Sequence, residues 1–250
     1  MTVYLRNVRT VTAADADALR ESFPRRVQRA ERYRLEDDRL RSLAAALLLR
    51  DALGAAEETA LRYGPKGKPY WEAGPAFSLS HSGDWAALAV GEPGMRAVGV
   101  DIERPRAVRP SLMRRVCCPE ELAWLADGTE AAEAPPRIDF TVARRGGSPE
   151  PPALTAADGQ GKRAAEGGGP YSVSELRFFR LWTWKEAVLK AIGIGLGMEM
   201  RDICVLPFTE GGTVEIDGQR WYGAAAEYEG YRIGLCADAP VEGCELKACL

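Results

Sequence analysis

Four residues carry spacing that suits phosphate and metal chemistry. The stretch "AVGVDIE", residues 97–103, alternates: Val98, Val100 and Ile102 fall on one side of an extended chain, and Gly99, Asp101 and Glu103 on the other. Two residues along a strand is about 6.5–7 Å, so both carboxylates can reach toward one point above a sheet. Hard divalent cations take oxygen ligands of this kind, commonly one or two carboxylates with water and substrate phosphate. Alone, a D-x-E strand is most often a solvated face. In "LWTWKEAVLK", Glu186 and Lys190 stand four apart on one helix face. An i,i+4 salt bridge is the plain reading of that pair. Scarcity argues for more: the chain has six lysines against 27 arginines, and two of the six are Lys185 and Lys190. Lys66 and Lys68 share the "PKGKP" loop. An arginine-preferring chain that retains lysine points to a need for a compact charge.

His81, the single histidine, sits in "SLSHSG". A lone histidine beside small residues is more often structural than a ligand. Ser80, His81, Ser82 and Gly83 nonetheless offer hydroxyls, an imidazole and open backbone at a strand end, a tip that can hold a phosphate. "GIGLG" is no nucleotide fingerprint, because it follows a helix where that motif must follow a strand.

Composition narrows the class. At 250 residues and 46% hydrophobic, the chain can bury a large core as one large domain or two small ones. A net charge of −3 gives no global field toward nucleic acid or membrane. Eleven arginines lie in the first fifty residues, among them Arg25, Arg26, Arg29, Arg32, Arg34, Arg39 and Arg41, a local basic surface suited to an anionic small molecule or an acidic protein. The N-terminus lacks a signal-peptide run and no stretch is long enough to span a membrane, so the expected location is cytoplasmic. Six cysteines without a CxxC pair read as reduced, mostly buried thiols rather than a zinc site.

These residues need elements to position them. Residues 2–9 read as a strand, "TAADADALRESF" as a helix, and "PRRVQRAERYRLEDDRLRSLAAALLLRDALG" as a second helix ending at Gly54. "AFSLSHSGDWAALAVG" reads as two strands turning at Ser82-Gly83-Asp84, followed by "AVGVDIE". "PSLMRRVCCPEELAWLA" reads as helical. Residues 127–170 are rich in Gly, Pro, Ala, Glu and Arg; a flexible surface insertion is expected, with at most one short edge strand in "RIDFTVARR". "VSELRFFRLWTWKEAVLKAIG" predicts a long helix capped by Ser174 or Ser172 and stopped by Gly193. "ICVLPF", "TVEIDGQRWYGAAAEY" and "YRIGLCAD" read as strands. Helices and strands thus occur twice over, an α+β arrangement in two similar halves, with residues 1–96 in the first half and 97–250 in the second.

The order "GKP…SLSHSG…VGVDIE…WTWKEAVLK" resembles the 4′-phosphopantetheinyl transferase superfamily, in its two-domain, surfactin-synthetase-activating type. The resemblance spans most of the chain. It implies a pseudo-twofold pair of α/β subdomains with coenzyme A between them. It further implies transfer of phosphopantetheine from coenzyme A to a serine of an acyl- or peptidyl-carrier protein, releasing 3′,5′-ADP. Asp101, Glu103 and Glu186 match the ligands of Mg²⁺ (or Mn²⁺ in its place), with Glu186 also the candidate base, directly or through a metal-bound water. Lys190 matches the cation on the pyrophosphate. Ser80 and His81 match a coenzyme-binding pair, Lys68 a lysine near the nucleotide, Arg41 an arginine on the 3′-phosphate, and Arg26 and Arg29 positions reaching the same phosphate. The family places the region of residues 127–170 near the carrier contact. The carrier would serve fatty-acid, polyketide or nonribosomal-peptide synthesis, with the choice among them left open, and two similar halves in one chain favour a monomer over a dimer. Two other readings compete: a non-catalytic coenzyme A-binding regulatory module, against which the intact Asp101, Glu103, Glu186 and Lys190 argue, and a Mg²⁺-dependent nucleotide pyrophosphatase.

Overall fold

The structure, a computed structural model, describes residues 1–127, 142–144, 171–193, 197–241 and 243–249. The expected insertion therefore lies outside the described residues apart from one strand, as does most of "GIGLG". The chain runs β1 (Thr2–Asn7), α1 (Ala13–Ser22), α2 (Pro24–Glu31), α3 (Glu36–Asp51), β2 (Arg62–Tyr63), β3 (Pro69–Tyr70), β4 (Phe77–Ser82), β5 (Trp85–Val90) and β6 (Val98–Glu103). It continues with α4 (Pro110–Val116), α5 (Pro119–Ala126), β7 (Val142–Arg144), α6 (Val173–Ile192), β8 (Thr213–Ile216), β9 (Gln219–Tyr228), β10 (Tyr231–Ala237) and β11 (Glu245–Cys249). Helices and sheets mix along the chain, in keeping with the α+β expectation.

Two main sheets form, in the orders β4-β5-β1-β11-β7 and β6-β10-β9-β8. Their facing sides share one apolar core, with Val3, Leu5 and Ala87 from the first sheet and Val100, Ile102, Ile233 and Leu235 from the second. The outer face of the first sheet buries Ala86 and Leu88 against α1 to α3, including Phe23, Leu47 and Leu48. The outer face of the second packs under α6, through Phe178, Trp184 and Val188. The last strand, β11, returns to pair in parallel with β1, and β7 pairs in parallel with β11 at the sheet edge. β11 and β7 thus join the sheet of β1, β4 and β5, while the second sheet draws only on strands from β6 onward.

Several predicted elements differ in detail, each for a physical reason. The long helix expected from Pro24 is two, broken at Arg32–Leu35. Glu36, Asp37 and Asp38 fill the first turn of α3, where negative charge complements the free N–H groups and helix dipole and so favours a new start. The segment "PSLMRRVCCPEELAWLA" is likewise two helices, because Pro119 sits at the first turn of α5 and Cys118 and Glu121 form a reciprocal cap there. "ICVLPF" contains no strand and enters a 3-10 turn at Leu206–Glu210. Ser172, of the two serines, caps α6 in a box with Glu175, and Gly193 ends it in the left-handed region at φ 80°.

β6 is covered on both faces, so the solvated-face reading of its carboxylates fails: Asp101 is 4% exposed. The cover is α6, which lies on two glycines of neighbouring strands. A Cβ on Gly99 would stand 1.8 Å from the Ala187 carbonyl oxygen, and one on Gly234 would stand 2.4 Å from the Thr183 carbonyl carbon. Gly99→Ala should therefore push α6 off the sheet and destabilise the protein by roughly 1–3 kcal/mol or more, the scale of overpacking, read from the urea midpoint. An unchanged midpoint would mean that the helix is free to move outward without loss.

Candidate active site

β4 and β6 are edge strands of different sheets that run along one another, and polar side chains meet across this seam. Ser80 Oγ donates to Asp101 Oδ1 at 2.7 Å, and Ser82 Oγ donates to Glu103 Oε2 at 2.7 Å. From α6, Lys190 Nζ reaches Asp101 Oδ1 at 2.6 Å and Ser80 Oγ at 2.9 Å. Glu186, one turn earlier, faces the same cleft of ≈ 620 Å³, which Asp101, Glu103, Ser80, His81 and Lys190 also line. The sequence-predicted acids and Lys190 are therefore brought together.

The charges show why this is a strained place for three acids. Burial raises the Glu186 carboxyl above its ordinary value, the nearby charge of Asp101 raises it further, and Lys190 only partly opposes them. Burial also raises Glu103, with Asp101 adding to it, against hydrogen bonds from Ser82 and Arg106 that lower it. Asp101 Oδ2 is buried and accepts no hydrogen bond among the described residues. A buried carboxylate oxygen without a partner is costly, and an added cation would satisfy it. Three crowded carboxylates, one with an orphaned oxygen, form a hard-oxygen donor set that fits a divalent cation.

The cleft also carries cations: Arg25, Arg26 and Arg29 line it. His81 keeps an exposed edge, yet partial burial of its ring and then the charges of Lys190 and Arg41 push the imidazole below its ordinary value. Arg41 does not line the cleft. Its guanidinium donates to the Gly83 carbonyl and to Asp38, both at 2.9 Å, so it ties α3 to the β4–β5 turn. Lys68 is also turned away from the main cleft: Nζ donates to the carbonyls of Val98 at 3.1 Å and Ala191 at 3.3 Å, beside a smaller adjoining pocket.

Lys185, the other half of the lysine argument, is structural. It is fully buried and pairs at 2.7 Å with Glu121, also fully buried. Its ammonium also takes the carbonyls of Met200 and Ile203, while Glu121 accepts from the backbone N–H groups of Cys118 and Val205 at 2.9 Å each. These bonds satisfy the backbone of "ICVLPF" without a strand ladder, which accounts for the missing strand. Cys118 and Cys204 lie close to the same carboxylate, whose two oxygens are already engaged by these donors.

Sequence reasoning missed Glu58, which is 6% exposed, lines the cleft and accepts from the Arg25 N–H at 2.8 Å and Tyr63 Oη at 3.2 Å. "AAEETA" offers no periodicity that would single it out. Arg25, by contrast, adjoins Arg26 in a visible basic run.

A sequence model described as the 4'-phosphopantetheinyl transferase superfamily matches residues 154–236, which contain Glu186 and Lys190. A phosphopantetheinyl transferase of Thraustochytrium is 32% identical over 77% of this chain and 60% of its own length. A 4'-phosphopantetheinyl transferase of Bacillus subtilis is 25% identical over 88% of this chain and 84% of its own. Residues 154–236 thus match the 4′-phosphopantetheinyl transferase superfamily, and most of the chain is similar to transferases of that name. The AcpT transferase of Salmonella typhimurium is 36% identical over a shorter region, 42% of this chain and 50% of its own length. The chain thus spans three fifths of the length of the Thraustochytrium relative. Asp101 and Glu103 lie ahead of the matched residues, and the seam geometry joins them to Glu186 and Lys190.

Two measurements follow. Lys185→Met should cost about 3–5 kcal/mol in urea unfolding by leaving Glu121 buried and unpaired, and the Glu121→Leu/Lys185→Met double variant should recover much of that loss. A single and a double variant equally unstable would place the cost in lost backbone bonds instead. The second concerns Lys68, whose ammonium burial pushes down to about 8 from 10.5. Below about pH 8 the group is charged in both folded and unfolded chains, and its burial costs stability in full. As pH rises above that value the folded chain sheds the proton while the unfolded chain keeps it, so the cost fades. The stability of the parent protein relative to Lys68→Met should therefore rise between about pH 8 and about pH 10. A flat difference in urea midpoints over that range would refute the shift.

Proposed function

We propose that this chain is a 4′-phosphopantetheinyl transferase that moves phosphopantetheine from coenzyme A to a serine of an acyl- or peptidyl-carrier protein and releases 3′,5′-ADP. The observation that carries the reading is one cleft lined both by three crowded carboxylates with Lys190 and by Arg25, Arg26 and Arg29. A substrate with a metal-bound pyrophosphate and a separate phosphate matches that mixed lining. Asp101, Glu103 and Glu186 are the residues that would hold Mg²⁺ or Mn²⁺. A divalent ion there would supply positive charge to the pyrophosphate oxygens as the leaving group takes up negative charge.

Positioning and charge neutralisation carry most of the catalysis in phosphoryl transfer, and the chain's own residues supply the positioning. Glu186, raised by burial and its acidic neighbours, is a stronger base than an ordinary carboxylate. It takes the proton from the carrier's serine hydroxyl, directly or through a water. The serine oxygen then bonds to the phosphorus of the phosphopantetheine arm, and the bond from that phosphorus to 3′,5′-ADP breaks. Lys190 is the cation that would meet the pyrophosphate. His81 with Arg26 and Arg29 binds the 3′-phosphate; Arg41 contributes by fixing the turn after His81 and by its charge.

The two halves fit a pseudo-twofold reading. In the first, β1 is followed by a helical segment and the β4–β5 hairpin, whose second strand lies next to β1. In the second, β6 is followed by α6 and the β9–β10 hairpin, whose second strand lies next to β6. The matching order supports two related subdomains, residues 1–96 and the body of 97–250, with the site at their seam and the intervening 127–170 segment tuning the carrier contact.

The test is incubation of the protein with coenzyme A, Mg²⁺ and a panel of apo-carriers, read by mass spectrometry as gain of the phosphopantetheine group. Asp101→Ala should lower the rate roughly 100-fold or more, the scale of losing a preorganised electrostatic contact. His81→Ala should narrow the preference for coenzyme A over its 3′-dephospho form. Near-parental transfer by Asp101→Ala would overturn the site, and equal losses for both coenzyme forms would make His81 structural.

A further inference from the structure

Two serines one pleat apart on β4 face two carboxylates one pleat apart on β6. The pairs repeat the same geometry, Ser80 to Asp101 and Ser82 to Glu103, each at 2.7 Å. The resemblance gives Ser80 to the coenzyme and says nothing of Ser82. In the structure both hydroxyls are spent on carboxylates from the opposite sheet.

Each serine engages one oxygen and leaves the other. Ser80 holds Asp101 Oδ1, while Asp101 Oδ2 is buried with no partner among the described residues. Ser82 and, more distantly at 3.4 Å, Arg106 hold Glu103 Oε2, and no described residue donates to Oε1. A carboxylate without such a partner turns about its terminal bond and presents either oxygen, since that torsion is broad and twofold. A hydroxyl on the strand across the seam removes the ambiguity. Ser82 is itself anchored, accepting from the Arg104 N–H at 3.2 Å, and Ser80 accepts from Lys190 at 2.9 Å. Ser80 therefore sets the position of the cation of α6 and of the carboxylate of β6 together.

We propose that Ser80 and Ser82 are positioning residues for a divalent cation, each fixing one oxygen of Asp101 or Glu103 so that the other oxygen is presented to the ion. The proposal rests on the reading of the three carboxylates as a cation site. It adds that the first sheet, which supplies no carboxylate to that site, decides how well the second sheet's carboxylates bind.

Removing a hydroxyl then weakens ion binding without removing a ligand. Partners of this kind, one step from the metal, are commonly worth about 10–100-fold in affinity. The experiment is titration of the full chain with Mn²⁺, with free ion followed by electron paramagnetic resonance, in the parent, Asp101→Ala, Ser80→Ala, Ser80→Thr and Ser82→Ala proteins. Asp101→Ala should abolish or severely weaken binding. Ser80→Ala and Ser82→Ala should each weaken it roughly 10-fold or more, and Ser80→Thr, which keeps the hydroxyl, should restore most of the loss. Coenzyme A affinity measured with a chelator present should be little changed by Ser82→Ala. If Ser80→Ala does not fold, Ser82→Ala and the near-parental affinity of Ser80→Thr still decide the matter. Parental Mn²⁺ affinity in the serine variants, with a loss in Asp101→Ala, would overturn the positioning role and leave the cation site standing. Parental affinity in Asp101→Ala would overturn the cation site itself. A serine variant that lost coenzyme A affinity under chelation but kept Mn²⁺ affinity would assign the hydroxyl to the substrate and overturn the proposal.

Discussion

The arrangement depends on how closely α6 lies on the second sheet. Gly99 and Gly234 have no side chain at the two places where the helix backbone crosses, and a methyl group at either would overlap a carbonyl group of α6. The lowered helix lets Lys190 reach Asp101 from above and turns Glu186 toward the same space. Interiors packed to crystal density do not absorb an added methyl there. A packing constraint with no chemistry of its own therefore controls the distances on which the chemistry rests.

The same helix carries two ion pairs of opposite character. Lys185 and Lys190, five residues apart, differ by about 140° around the axis, at about 100° per residue. Lys185 points into the protein, where Glu121 and two backbone carbonyls use its donors and no exposed surface remains. Lys190 points to the seam and pairs with Asp101, one of whose oxygens has no partner among the described residues. Fully satisfied, a buried pair holds structure; partly satisfied, it holds unspent attraction for a ligand. Glu103 and Glu186, both pushed upward chiefly by burial, add to that attraction.

The seam also explains why two sheets are needed. β4 and β6 end their sheets, so their side chains meet another strand without a ladder of backbone bonds between them. Ser80, Ser82, Asp101 and Glu103 supply the polar bonds across that gap. Tyr231 Oη accepts from the Asp84 N–H at 3.0 Å, and Gly83, at φ 53°, leaves no room for a side chain beside that hydroxyl. The turn that follows His81 is thus held from the second sheet as well as by Arg41.

Much was legible from order and spacing alone. Alternation in "AVGVDIE" placed Asp101 and Glu103 on one side of a strand, the i,i+4 spacing placed Glu186 with Lys190, and two candidate cap serines with a terminal glycine bounded α6. The motif order was enough to indicate the family. Local periodicity settles such matters because it needs no distant partner. The tertiary structure alone decided which polar residue met which. It buried Lys185 on Glu121, drew Lys68 to the carbonyls of Val98 and Ala191, set Arg41 on the turn outside the cleft wall, and brought Glu58 to the cleft from a segment with no pattern. Each of these depends on contacts between residues far apart in the chain, whose burial and partners no local spacing records. That is also why identical residue types, Lys185 and Lys190, read alike in sequence and act differently in the fold.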